Sequence, residues 1–310
     1  MSASGGKKAI VAALLANLGI AIAKFVGFLV TGAASMMAEA IHSVADTSNQ
    51  ILLLIGDKRA EKAPDRTHQF GYARNIYFYG FIVALVIFLL GGVFSAGEGA
   101  EKIMHSLQGT EEGGNHLVAI IILVVVLALE SFSLATAVKE AKKVKGDYSW
   151  WQFIRHSHEP SLIVLIMEDS GALIGLVLAL IGVSVSWATG NNVWDGVGAL
   201  CIGVLLIIIA IVLIVEMKSM LIGESLDEED FDRLVAALES VPQVQRVIYC
   251  QTEFLGPAEV LVAAKIGVSP ELSSAELALA IDEAEAAVRR TDQKHYRIFI
   301  EPDIDQLQKG

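Results

Sequence analysis

Apolar residues dominate the first 222 positions in long runs, separated by short polar stretches. A helix that crosses a bilayer needs about 20 predominantly apolar residues. Six runs meet that length: 9–32, 34–56, 76–101, 116–139, 160–188 and 193–217. The pattern changes after residue 223. Asp227 to Leu238 reads as an amphipathic helix with acids in its first turn, where the helix dipole favours them. Val244 to Phe254 alternates like a strand, Gly256-Pro257 is a turn signal, and Val260 to Val268 is a second strand. Ser273 offers an N-cap for a helix to about Arg290, and Tyr296 to Ile300 reads as a third strand. The expected fold is an α-helical membrane protein. Six transmembrane helices occupy 1–222, and a small α+β domain with one sheet and two helices on one face occupies 223–310.

Composition agrees with that division. The chain is 54% hydrophobic and only 19% charged, where a soluble domain is about 45–50% apolar. Much of the net charge of −12 lies after residue 223, and an acidic balance argues against nucleic acid as a partner. The two cysteines, Cys201 and Cys250, form neither a disulfide framework nor a Cys-x-x-Cys zinc motif. The apolar run after Lys8 is long for a signal-peptide core and is read as the first span.

Lysine and arginine mark the cytoplasmic side of a membrane protein. Lys7 and Lys8 precede the first span. Lys58, Arg59, Lys62, Arg66 and Arg74 follow the second, Lys139, Lys142, Lys143, Lys145 and Arg155 follow the fourth, and Lys218 follows the sixth. The opposite loops hold almost none, Lys102 excepted. Six spans with both termini cytoplasmic satisfy this distribution. A bacterial plasma membrane is the expected location.

Ionisable groups inside spans are costly and mark ion or proton paths. His42 and Asp46 lie four residues apart in the second run, on one helical face. Imidazole nitrogen with carboxylate oxygen suits zinc and other divalent first-row metals. Glu168-Asp169 in the fifth run supplies further carboxylates. The blander alternative is a set of interhelical hydrogen bonds. Asn49 continues the His42–Asp46 face and can offer its amide oxygen, or simply bond a neighbouring helix. Glu39 lies on the same face towards the outer end. Glu168 points about 100° away from Asp169, so it serves as a ligand only if the helix turns or bends, and otherwise as a proton carrier. Glu130 in the fourth run is either a proton-coupling group or a partner for Lys24. In the cytoplasmic loop, Asp65 and His68 have metal-ligand spacing, with a solvated loop pair as the alternative. His156 and His158 flank the fifth run, and the tail carries His295 and an acidic end.

Six spans, His42-x-x-x-Asp46, the Pro64…His68-x-Phe70-Gly71-Tyr72 loop and the α+β tail together resemble the cation diffusion facilitators. That resemblance implies a ferredoxin-like tail, a homodimer, and proton-coupled export of zinc or a related divalent metal, with no cofactor beyond the transported cation. It implies two ligands from the second span, matched by His42 and Asp46. It implies two from the fifth, where Asp169 matches and Leu165 falls at the other position. The Glu168-Asp169 pair is similar to the zinc transporter-9-like subgroup. In the loop, Asp65 and His68 match two family ligands, while Tyr72 and Asn75 stand where others would be. The tail, with one histidine, is expected to dimerise with little or no metal of its own.

The expected function is a secondary transporter that exchanges a divalent cation for protons by alternating access. Zinc is the first choice, with manganese, iron or cobalt as alternatives. A passive channel and a membrane-anchored metal sensor are the rivals. An enzyme is disfavoured because the chain has neither a His-Glu-x-x-His motif nor a Gly-x-Ser-x-Gly elbow.

Overall fold

The computed structural model describes residues 14, 18–22, 25, 26, 29, 34–109, 116–146, 148–157 and 159–304. The side chains of 34–42 and 156 lie outside the description. The candidate first span at 9–32 therefore lies mostly outside the described residues, as do Lys24, His158 and Asp305. The chain divides into two units, one of residues 1–62 and 75–218 and one of residues 63–74 and 219–310.

The first unit is helical. It contains α1 (Ala34–Ala60), α2 (Asn75–Gln108), α3 (His116–Lys145), α4 (Trp150–His156), α5 (Pro160–Thr189) and α6 (Val193–Ile222). Four of these, α2, α3, α5 and α6, are long and apolar enough to cross a membrane. At 27 residues and about 1.5 Å rise per residue, α1 has the length. Its acids and its basic end keep it outside that apolar class. Each long helix leaves large apolar side chains exposed, such as Ile121, Val125 and Phe132 on α3 and Ile174 and Ile181 on α5. Such faces suit lipid contact.

Two features depart from the sequence pattern. The stretch expected to be loop between the fourth and fifth runs contains α4. Ser149 starts it with a capping box: its hydroxyl accepts from the Gln152 amide, and the Gln152 side chain accepts from the Ser149 amide. Phe153 anchors α4 against Ala137 and Ala141 of α3 and Ile166 of α5. Second, α2 is not α-helical throughout, because Ile87–Val93 forms a π segment. Gly99 of α2 packs directly on the Gly196 and Leu200 backbone of α6, and Gly203 of α6 on Ala96 of α2. Lys102 and Asp195 form an ion pair beside that contact.

The second unit is α7 (Glu228–Glu239), β1 (Val244–Gly256), β2 (Glu259–Val268), α8 (Ser274–Arg289) and β3 (His295–Ile304). The sheet order is β1-β2-β3, with β1 and β2 antiparallel and β2 and β3 parallel. Alternation on β2 explains the layer: Val260, Val262, Ala264 and Ile266 are buried with Leu234 and Leu238 of α7 and Ala284 and Val288 of α8. Asp227 caps α7 and Ser273 caps α8.

Lys294 joins this domain's ends. Its Nζ donates to Asp230 Oδ2 at 2.5 Å and to Asp292 Oδ2 at 2.7 Å, and the Tyr296 hydroxyl donates to Asp292 Oδ2 at 2.9 Å. Burial opposes the ionised Asp292. Lys294, through its ammonium and backbone amide, outweighs it together with Tyr296 and holds the carboxyl below its usual range. A carboxylate with a depressed folded pKa stabilises above its unfolded value of about 3.9 and loses that contribution as the pH falls through the folded value. Amide protection of α8 and β3 in the full chain is therefore expected to drop below about pH 4. Asp292→Asn should weaken that acid sensitivity; a variant as acid-sensitive as the native chain would refute the assignment.

Candidate functional site

The middle of α1 is a polar face buried inside the helical unit. Ser43, Asp46, Asn49 and Gln50 are all buried there. The spacing of Asp46, Asn49 and Gln50, three and four residues, keeps them together on one side of a helix. Asn49 Nδ2 donates to Glu168 Oε1 of α5 at 2.8 Å. Asp46 also lies close enough to Glu168 for their charges to interact. Glu168 thus reaches α1 from the continuous helix α5.

Its neighbour faces elsewhere, as the 100° step dictates. Asp169 Oδ2 accepts from Ser133 Oγ of α3 at 3.0 Å. Glu130, one turn from Ser133 on the same helix, lies near Asp169, and so does Asp46. The two acids of α5 therefore link α1 on one side and α3 on the other. Leu165 sits in neither group. It packs on the apolar cluster of Ala137, Ala141, Phe153 and Ile166, so apolar contact fills the position where the resemblance implies a ligand.

In this cluster three buried oxygens, Asn49 Oδ1, Gln50 Oε1 and Glu168 Oε2, make no hydrogen bond among the described residues. Five carboxylates are buried among the described residues: Asp46, Glu130, Glu168 and Asp169 on these helices, and Glu216 of α6, which pairs with Arg155. No lysine or arginine is buried among the described residues. Charge in a membrane interior must be balanced by a cation or a proton. The backbone of His42 belongs to α1, while its side chain and that of Glu39 lie outside the description. Among the described residues, no three or more His, Cys, Asp and Glu side chains form a group able to hold a metal.

Asp65 and His68 stand apart from this cluster. Asp65 Oδ1 accepts from the Thr67 and His68 amides at 3.0 and 2.9 Å, and Oδ2 accepts from the Tyr72 hydroxyl at 2.6 Å. His68 Nδ1 is 3.9 Å from Asp65, and both side chains are exposed. His295 is exposed at the start of β3. Sequence reasoning missed Ser133 and Gln50. The signal for Ser133 was its spacing of three from Glu130, and for Gln50 its spacing of four from Asp46.

Apolar helices that enclose carboxylates, joined to a small α+β domain, suit a membrane ion transporter. The cation efflux transmembrane domain matches residues 10–222, and the cation efflux cytoplasmic domain matches 226–303. The chain belongs to the cation efflux, or cation diffusion facilitator, family of metal transporters. It is 34% identical over 264 residues to the mitochondrial proton-coupled zinc antiporter SLC30A9 of Xenopus laevis, covering 84% of this chain and 46% of that protein. It is 28% identical to metal tolerance protein C4 of Arabidopsis thaliana, covering 86% of this chain and 58% of the relative. Magnetosome protein MamM of Magnetospirillum gryphiswaldense is 24% identical, with 87% and 80% covered. The chain spans about half the length of the SLC30A9 proteins it matches. Those relatives are named as mitochondrial, so the expected bacterial plasma membrane draws no support from them.

Proposed function

We propose that this chain exports a divalent metal cation, zinc first, in exchange for protons by alternating access. The observation that carries the reading is the group of four buried carboxylates, Asp46, Glu130, Glu168 and Asp169, on α1, α3 and α5. Such a group can be neutralised by a metal cation or by protons. His42, Asp46 and Asp169 are the proposed ligands. Asn49 and Glu168 complete the site through Asn49 Oδ1 and Glu168 Oε2, because the hydrogen bond between them leaves those two oxygens available. Glu130, beside Asp169, is the proposed proton-coupling group. Only deprotonated ligands bind metal, so binding and protonation exclude each other, and that exclusion is the coupling. The SLC30A9 relatives are named as proton-coupled zinc antiporters, which supports the same reading.

The transport domain is 1–222, with six spans and both termini on the cytoplasmic face. Residues 223–310 form the dimerisation domain of a homodimer. Asp65 and His68 have no metal role in this reading, since hydrogen bonds within the loop engage both Asp65 oxygens. One observation favours a second cargo. With Leu165 in an apolar cluster, the donors are one imidazole and otherwise oxygens. Harder ligands of this kind suit manganese, iron or cobalt better than a nitrogen- or sulfur-rich site does.

The deciding experiment is uptake into proteoliposomes, with zinc and manganese in competition at about pH 6 and about pH 8. An imposed proton gradient is expected to drive accumulation of zinc ahead of manganese. Metal flux that ignores the gradient would support a channel and overturn the reading.

A further inference from the structure

Hydrogen bonds join α1 to α5 at two levels. The deeper one is the Asn49–Glu168 contact. At the other, Ser161 Oγ, at the start of α5, donates to Asp57 Oδ1, near the end of α1, at 3.2 Å. The second level lies eight residues from the first on α1 and seven on α5. That is about 10–12 Å along the seam between two antiparallel helices. Asp57 and Ser161 are partly exposed, where Asn49 and Glu168 are buried. The Asp57 level is therefore the mouth of the seam, and in the transport reading it faces the cytoplasm.

One stripe of α1 leads inward from this mouth. Asp57, Gln50 and Asp46 are seven and four residues apart and lie within about 40° of one line. Asp57 is the one acid on α1 between Asp46 and Ala60. Gln50 is buried, and its Oε1 makes no hydrogen bond among the described residues. Leu53, which is buried, and Leu54 separate Gln50 from Asp57. The bases beside Asp57 sit off this stripe. Lys58 is exposed, about 100° round the helix, and the Arg59 guanidinium lies 5.9 Å from the centre of the Tyr79 ring of α2. A cation entering here meets a carboxylate, an apolar step, an open amide oxygen and then the buried acids.

We propose that Asp57 is the loading carboxylate of the cytoplasmic mouth, the first group to take the divalent cation on its way to the buried cluster. This role rests on the transport reading above. A partly exposed carboxylate concentrates cations at a narrow opening. The Ser161 hydroxyl occupies one of its oxygens without cancelling its charge, so hydroxyl and cation compete for the same group. The leucines give a cation nowhere to rest. Passage from Asp57 to Gln50 therefore requires α1 and α5 to part at this end, and the Ser161–Asp57 bond holds them together until the cation replaces it.

The test is zinc uptake against zinc concentration in proteoliposomes that carry the full chain with its small domain outside, driven by an acidic interior. Asp57→Asn keeps an acceptor for Ser161 and loses the charge. It is expected to raise the half-saturating concentration about tenfold, the low end of what a charged cleft contributes, with the maximal rate within about twofold of native. Asp57→Glu, which keeps the charge, should stay close to native. Ser161→Ala frees the carboxylate and should lower the half-saturating concentration about fivefold, the worth of one hydrogen bond. In the Asp57→Asn background the same alanine should change nothing, because the competition has gone. A native half-saturating concentration in Asp57→Asn would overturn the proposal. So would Ser161→Ala acting in the same direction as Asp57→Asn, which is the behaviour of a plain tie between helices. A native chain that takes up no zinc overturns the transport reading and the loading role with it, while native uptake with indifferent variants overturns the loading role alone.

Discussion

Asp46→Asn is expected to lower proton-driven zinc uptake by about a hundredfold or more, since loss of mere supporting partners around a metal already reaches about 10–100-fold. The substitution keeps the side chain's shape and removes its charge. Asp46 is buried in α1, and the acids close to it are Glu168 and Asp169. Removing one negative charge from that group deletes a proposed ligand and also a proposed proton acceptor. Asp169→Asn should have a comparable effect, though the Ser133 hydroxyl can still donate to the remaining carbonyl oxygen. Both variants should fold, because an amide in place of a carboxylate lowers the amount of buried charge. Initial rates in vesicles, beside size-exclusion profiles, check both statements. Native rates in both variants would remove these residues from the site.

The second large effect concerns the contact between α2 and α6. Gly203→Leu is expected to destabilise the protein by about 3 kcal/mol or more, the upper range for overpacking. The backbone of Ala96 lies where the new Cβ would go, with Ala96 Cα at 2.7 Å. Backbone cannot move aside as a flexible side chain can, so the helices must separate. Gly92 against Ile207 and Gly99 against Gly196 and Leu200 would be pulled apart as well. Membrane helices gain little from the hydrophobic effect in lipid and depend on close packing at small residues. Gly97 of α2, next to Ala96, supplies the control, with nothing within 4 Å of an added Cβ. Thermal melting in detergent should drop sharply for Gly203→Leu and stay near native for Gly97→Leu. Equal melting of the two variants would refute the close contact.

The sequence pattern located most helices because burial in lipid and burial in a core both demand apolar residues. The small domain was equally legible: Asp227 and Ser273 cap their helices, and the strands fall where alternation puts them. Pattern could not assign facing. Glu168 and Asp169 are adjacent and equally buried, and only tertiary packing sends one to Asn49 and the other to Ser133. The same limit applied to the loop. Asp65 and His68 have ligand spacing, but an Asx-type turn needs the same residue types at the same distance. Chain-distant contacts such as Ser161 with Asp57 leave no periodic trace at all. Trp150–His156 went unseen because a seven-residue helix is too short to show a period.

The π segment of α2 settles a question of phase. Gly80 lies against Met217 of α6, and Gly92, twelve residues on, lies against Ile207 of the same helix. In an unbroken α-helix these glycines would differ by about 120° around the axis. The residue that a π turn absorbs takes back about 100° of that difference. Both glycines therefore meet one neighbour along a single line. Forcing Ile87–Val93 into a regular α-helix at its present length would swing the two halves out of step, so that α6 could satisfy only one of them.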